Sequence, residues 1–248
     1  MHSLKKTFSA LALAVVATTG QAATVTVTFD DPIFKGSGYD AVRIQFPLQD
    51  PAGSGTAHAA AGRFQGTATN LVGADPSIFV DGPNDLFMYC YDVYEGINSG
   101  WVVDYTINFG GALARTLDFL GAVNTIMSAG GAYDPYAWLR PVNRNQGAAI
   151  QLGIWESRYE TAADWNLDAG SFKAWNLEAN TTTYWNQFAL AIPASASLEQ
   201  RFTMVFEAPN AQDMIAGDPP LTVPEPGSLA LLALALAGLA ASRRRLAA

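Results

Sequence analysis

A chain of 248 residues that is half hydrophobic and 11% aromatic can bury a sizeable core and build one large or two small domains. Of its 14 Lys and Arg, five (Lys5, Lys6, Arg243, Arg244 and Arg245) sit at the two ends, leaving nine against 22 Asp and Glu, a net charge near −13. That balance disfavours nucleic acid and anionic lipid as partners, and a single cysteine, Cys90, excludes a framework of internal disulfides.

The N-terminus carries Lys5 and Lys6, the short apolar run FSALALAVVA, and Gly20 and Ala22 at the spacing of a cleavage site between Ala22 and Ala23. This pattern is a secretory signal peptide over residues 1–22, removed before folding. Clean alternation then marks TVTVTF (24–29) and AVRIQF (41–46) as strands, DPAGSGTAHAAAG (50–62) reads as a loop, and RFQGTATNLVG (63–73) alternates again. LFMYCYDVY (86–94) and WVVDYTINF (101–109) read as a strand pair joined by a turn at EGINSG. The period next changes: Leu113, Leu117, Leu120, Val123 and Met127 have helical spacing and the run ends on paired glycines.

After Pro141, NRNQGAAIQLGIWESRYE (143–160) places Ala148, Gln151, Leu152 and Trp155 on one helical face, with a strand over AAIQLGIW as the competing assignment. RFTMVFEA (201–208) returns to strand character, and GDPPLTVPEP (217–226) is a Pro-rich linker. The pairs Trp165-Asn166, Trp175-Asn176 and Trp185-Asn186 recur at ten-residue spacing. They read either as a sugar-stacking platform or as strand-and-turn periodicity with buried indoles. Together the elements give an α+β class: an antiparallel β-sandwich or barrel-like frame with a helical insert, plus a C-terminal apolar helix.

The last segment joins Val223-Pro224-Glu225-Pro226, an apolar run from Leu229 to Ala241, and Arg243, Arg244 and Arg245. The run is shorter than a spanning helix prefers, but a basic cluster just beyond it is a cytoplasmic stop signal. These three features in this order resemble the PEP-CTERM sorting signal of Gram-negative bacteria. The resemblance implies export through the inner membrane, transient anchoring, cleavage by exosortase near Pro224, Glu225 and Pro226, and delivery to the cell surface or beyond, in company with exopolysaccharide systems. A permanent tail anchor is the alternative. The chain thus divides into a signal peptide (1–22), a body (23–215), a linker with the Pro-Glu-Pro motif (216–226) and a transmembrane sorting helix with its Arg cluster (227–248).

Cys90 has two readings. As a strand residue it shares a face with Met88, Asp92 and Tyr94 and packs as a small hydrophobe. The stretch Tyr89-Cys90-Tyr91-Asp92 and, further on, Ala148-Ala149-Ile150-Gln151-Leu152-Gly153-Ile154-Trp155-Glu156 resemble the two halves of the thioester domain of bacterial surface adhesins. The resemblance implies a Cys90–Gln151 thioester in an environment made by Tyr89, Asp92 and Trp155, waiting for an amine-bearing surface partner. Tyr91, Ile150 and Gly153 stand where the family has an aliphatic residue, threonine and alanine. Only Lys35 and Lys173 remain as lysines in the body, so few internal amines compete for such an acyl group.

Other chemistry has little to stand on. His58 is the body's one histidine and sits in the presumed loop, without a group to orient it as a base for Cys90. Asp81, Asn84 and Asp85 lack calcium-loop spacing and suit a turn. The expectation is a binding module, not an enzyme, with no cofactor, no metal and no catalytic residues. It is either a covalent adhesin or a non-covalent structural or polysaccharide-binding component of the extracellular matrix.

Overall fold

The computed structural model describes residues 22–49 and 52–218, and there the alternation of the sequence becomes an inside and an outside. Along the chain run β1 (Ala23–Phe29), β2 (Tyr39–Pro47), β3 (Ser54–Gly62), β4 (Phe64–Val72), β5 (Leu86–Cys90) and β6 (Val102–Asn108). They are followed by α1 (Ala114–Met127), α2 (Arg144–Tyr159), β7 (Lys173–Trp175), α3 (Ala179–Ala191), β8 (Thr203–Glu207) and β9 (Met214–Gly217). β1 shows the rule: Ala23, Val25, Val27 and Phe29 are buried while Thr24, Thr26 and Thr28 take the opposite face.

Six strands close into an antiparallel barrel in the order β1-β4-β5-β9-β8-β6, and β3-β2-β7 form a second, three-stranded sheet. The α+β frame is therefore a barrel, and its helical insert is α1, α2 and α3 between β6 and β8. α2 is the central element. Asn143 caps it by accepting a hydrogen bond from the Gln146 N–H at 3.0 Å. Arg144 and Arg158 are its only residues that are not buried, because it packs against α1 and α3, against β2 and β3, and against β5. A helix covered on every side carries little amphipathic pattern, which is why AAIQLGIW also read as a strand.

Four sequence-based expectations change. β5 and β6 do not pair: β5 lies between β4 and β9, β6 between β1 and β8, and EGINSG is no hairpin turn. The chain instead uses Gly100 and Trp101 to reach β1, whose Phe29 N–H donates to the Trp101 carbonyl at 2.9 Å. β5 also stops at Cys90, so Asp92 and Tyr94 are not on its face. The presumed loop at 50–62 contains β3, which pairs with β2 from Pro47–Ser54 to Tyr39–Gly62. Its small side chains give weak strand propensity but leave room for α2 to cross it. Finally, β9 carries the fold through Gly217, and the Asp218 N–H donates to the Phe202 carbonyl, so the body runs past residue 215.

Among the described residues no helix is long and apolar enough to cross a membrane. The signal peptide up to residue 21, the Pro-Glu-Pro motif and the apolar sorting helix all lie outside the described residues. Ala22, the residue before the expected cleavage, immediately precedes β1.

Candidate functional site

Cys90 ends β5, and its backbone explains what stands beside it. The Tyr91 N–H donates to the Asp213 carbonyl at 2.7 Å, on the β9 side. Strand alternation then turns the Cys90 N–H and C=O to the opposite edge, where β4 has finished at the Phe64–Met88 pair. The Gln151 side chain, projecting from α2, takes that vacant place. Its Oε1 accepts from the Cys90 N–H at 2.9 Å and its Nε2 donates to the Cys90 carbonyl at 2.7 Å. Both residues are buried, Gln151 completely. The two residues that the sequence joins by resemblance thus share a pair of hydrogen bonds.

One helical turn after Gln151, the Trp155 indole N–H donates to the Asp92 carbonyl at 3.0 Å, and Gln212 Nε2 donates to the same oxygen at 2.8 Å. The Asp92 carboxylate accepts from the Asp213 N–H at 3.0 Å through Oδ2, while Oδ1 is buried without a partner among the described residues. Burial pushes the Asp92 carboxyl up to about 7; the Asp213 N–H opposes this, and the charges of Asp213 and Glu95 add to it. Burial also pushes the Cys90 thiol well above its ordinary value, and the Asp92 charge pushes it further. At neutral pH the sulfur is therefore a protonated thiol.

Cys90 opens onto a cavity of about 240 Å³ lined also by Trp155, Val93, Glu95, His58 and Gln212. Trp155 lines this cavity together with Cys90. Tyr89 and Tyr91 do not line this cavity, since both alternate with Cys90 along the chain. The Tyr89 hydroxyl donates to the Trp138 carbonyl at 3.1 Å; the Tyr91 hydroxyl accepts from the Leu113 N–H at 2.8 Å, and the Tyr91 ring sits under the Arg158 guanidinium. His58, placed in a loop from sequence, is on β3 opposite Arg43 and lines the cavity with Cys90. Only the register of β3 brings it there, and a stretch of alanine and glycine carries no local signal for that register.

The three Trp-Asn pairs occupy a loop, the end of β7 and the middle of α3, so their ten-residue spacing is not strand-and-turn periodicity. Yet all three line one cavity of about 330 Å³. Asp81 accepts from Arg140 at 2.7 Å and Asp85 from Gln65 at 3.2 Å, as turn and surface contacts.

Comparison with known protein families matches the PEP-CTERM protein-sorting motif over residues 222–245. The match spans the Pro-Glu-Pro motif, the apolar run and the Arg cluster, and marks the chain as an exported, exosortase-sorted surface protein. No curated protein and no solved structure matches the chain.

Proposed function

We propose that the body is a covalent adhesin in which Cys90 and Gln151 form an internal thioester. The observation that carries this reading is the paired hydrogen bonding that holds the Gln151 carboxamide against Cys90 in a buried setting. The Cys90 sulfur attacks the Gln151 carboxamide carbon. The S–H proton passes to the departing nitrogen, the C–N bond breaks, and one ammonia leaves as the C–S bond forms. The two hydrogen bonds to the Cys90 backbone keep the Gln151 carboxamide beside this residue, which replaces an improbable encounter with a fixed one.

The thioester then meets an external primary amine through the cavity lined by Cys90, Trp155 and Glu95. The amine nitrogen bonds to the acyl carbon, the C–S bond breaks, and the amine's proton returns to sulfur, leaving an amide and a free thiol. Trp155 shields the bond from water in the meantime. Neither Lys35 nor Lys173 lines that cavity, so the chain's own lysines do not quench it. After signal cleavage between Ala22 and Ala23, the tail anchors the protein transiently in the inner membrane. Exosortase cuts near Pro224, Glu225 and Pro226, and the body is presented at the cell surface.

Intact-mass measurement of the purified protein tests this. The expected mass is short by one ammonia, with the full value in Cys90→Ala and in Gln151→Ala, and with methylamine adding to the parent protein alone. An unmodified mass with a thiol that alkylates freely on unfolding overturns the reading. Gln151 is then a strand-capping amide, and the body a non-covalent matrix component.

A further inference from the structure

We infer that the cavity lined by the three Trp-Asn pairs is a carbohydrate-binding site for a short neutral glycan segment, separate from Cys90. Residues from three elements far apart in type converge on it: Trp165, Asn166 and Asp168 from the loop after α2, Trp175 and Asn176 from the end of β7, and Trp185 and Asn186 from α3. Its 330 Å³ is at the small end of ligand pockets, with room for a sugar unit or two.

The indoles have different duties. Trp185 is buried beside Phe119, and Trp165 stacks on Phe119 with the Arg115 guanidinium 4.0 Å from its ring. These two form the wall. Trp175 is 40% exposed, and an exposed indole can take the C–H face of a pyranose. Around it stand side-chain amides, which donate and accept as sugar hydroxyls require, Asn176 already spending its Nδ2 on the Ala41 carbonyl at 3.4 Å. Asn166 spends its Oδ1 on the Asp168 N–H at 2.9 Å and keeps its Nδ2; the Asn186 side chain has no partner among the described residues. The Asp168 carboxylate adds an acceptor.

Charge selects among glycans. No Lys or Arg lines the cavity, and the Arg115 guanidinium is committed to the Ala162, Ala163 and Asp164 carbonyls. With Asp168 at the rim of an acidic body, uronic and sulfated sugars are repelled and neutral ones admitted.

The test uses Cys90→Ala protein, so that covalent capture through the thiol plays no part. It is passed over an immobilised panel of neutral and acidic hexose and N-acetylhexosamine oligosaccharides. Retention of neutral oligosaccharides is expected, weakened roughly tenfold by Trp175→Ala and largely kept by Trp175→Phe. Asn186→Ala, at an exposed helix position, weakens retention without moving the melting temperature. Retention of no oligosaccharide by the Cys90→Ala protein, a preference for acidic ones, or equal retention by Trp175→Ala overturns the site, whatever the intact mass shows for the thioester.

Discussion

At Cys90 two structural duties meet: the residue ends a barrel strand, and its backbone needs partners on an edge where the neighbouring strand has stopped. Gln151 supplies both with one carboxamide, so its removal leaves a buried N–H and a buried C=O without partners. Each costs about 1–3 kcal/mol. Gln151→Ala is expected to lower the melting temperature markedly in chemical or thermal unfolding. Gln151→Glu is expected to do so further, because a carboxylate accepts from the Cys90 N–H but faces the Cys90 carbonyl with a second acceptor. Both outcomes hold in a Cys90→Ala background, where no thioester forms; melting like the parent would mean that the amide does not sit where described. The pairing of Cys90 with Gln151 was legible because two short motifs carried it. The setting of Asp92 was not. The sequence extends β5 through it, whereas Gln212, Asp213 and Trp155 gather it into a loop from distant parts of the chain. No local pattern encodes contacts of that range.

Helix packing explains the glycine at position 153. A Cβ there would enter the Phe119 ring, which α1 lays across α2 at that point. Gly153→Ala is expected to destabilise by about 1–3 kcal/mol through overpacking, read as a lower denaturant midpoint with an unchanged slope. Gly147→Ala is the milder comparison, since its Cβ would lie 3.3 Å from the Pro141 ring. α1 was legible from its apolar stripe, and α2 only as helix or strand, because burial on all sides blurs its period. α3 was not legible. Its sequence ANTTTYWNQFALA is rich in Thr, Asn and aromatic residues, which are weaker helix formers, and a ten-residue Trp-Asn recurrence overlies its helical period. The signal was there: Thr181, Trp185 and Phe188 are its buried residues and lie at helical spacing. β3 shows the opposite limit, a strand held by nine register pairs with β2 and by nothing in its own composition.

Across the whole molecule, three buried carboxyls share one electrostatic sign. Burial raises Asp92 and Asp218 to about 7 and Glu156 to about 8. Each keeps one buried oxygen without a partner among the described residues. For Glu156 the Asn166 N–H opposes the rise, the Glu160 charge adds to it, and Arg115, 4.0 Å away, offsets only part. Unfolded carboxyls titrate near pH 4, so between about pH 4 and 8 the folded chain binds more protons than the unfolded one. Stability then falls as pH rises through that window and recovers on acidification. The carboxyls with lowered values work below it: burial favours protonating Glu160, but the N–H groups of Ala162, Phe172, Ser171 and Thr161 outweigh it, so that contribution is lost only on acidification below about pH 4.5. The expected result is a melting temperature that rises from pH 8.5 to pH 5.5, by an amount on the order of a few kcal/mol of stability. Glu156→Gln, which replaces the protonated acid by a neutral amide of the same shape, is expected to stabilise the protein at pH 8.5 and flatten the slope. A melting temperature independent of pH over that range, or a Glu156→Gln protein with the parent's slope, would show these acids to be solvated and charged in the native fold. A protein built in this way is expected to be most stable in mildly acidic surroundings, and the Glu156→Gln slope separates the part due to a buried acid from the repulsion of its net negative charge.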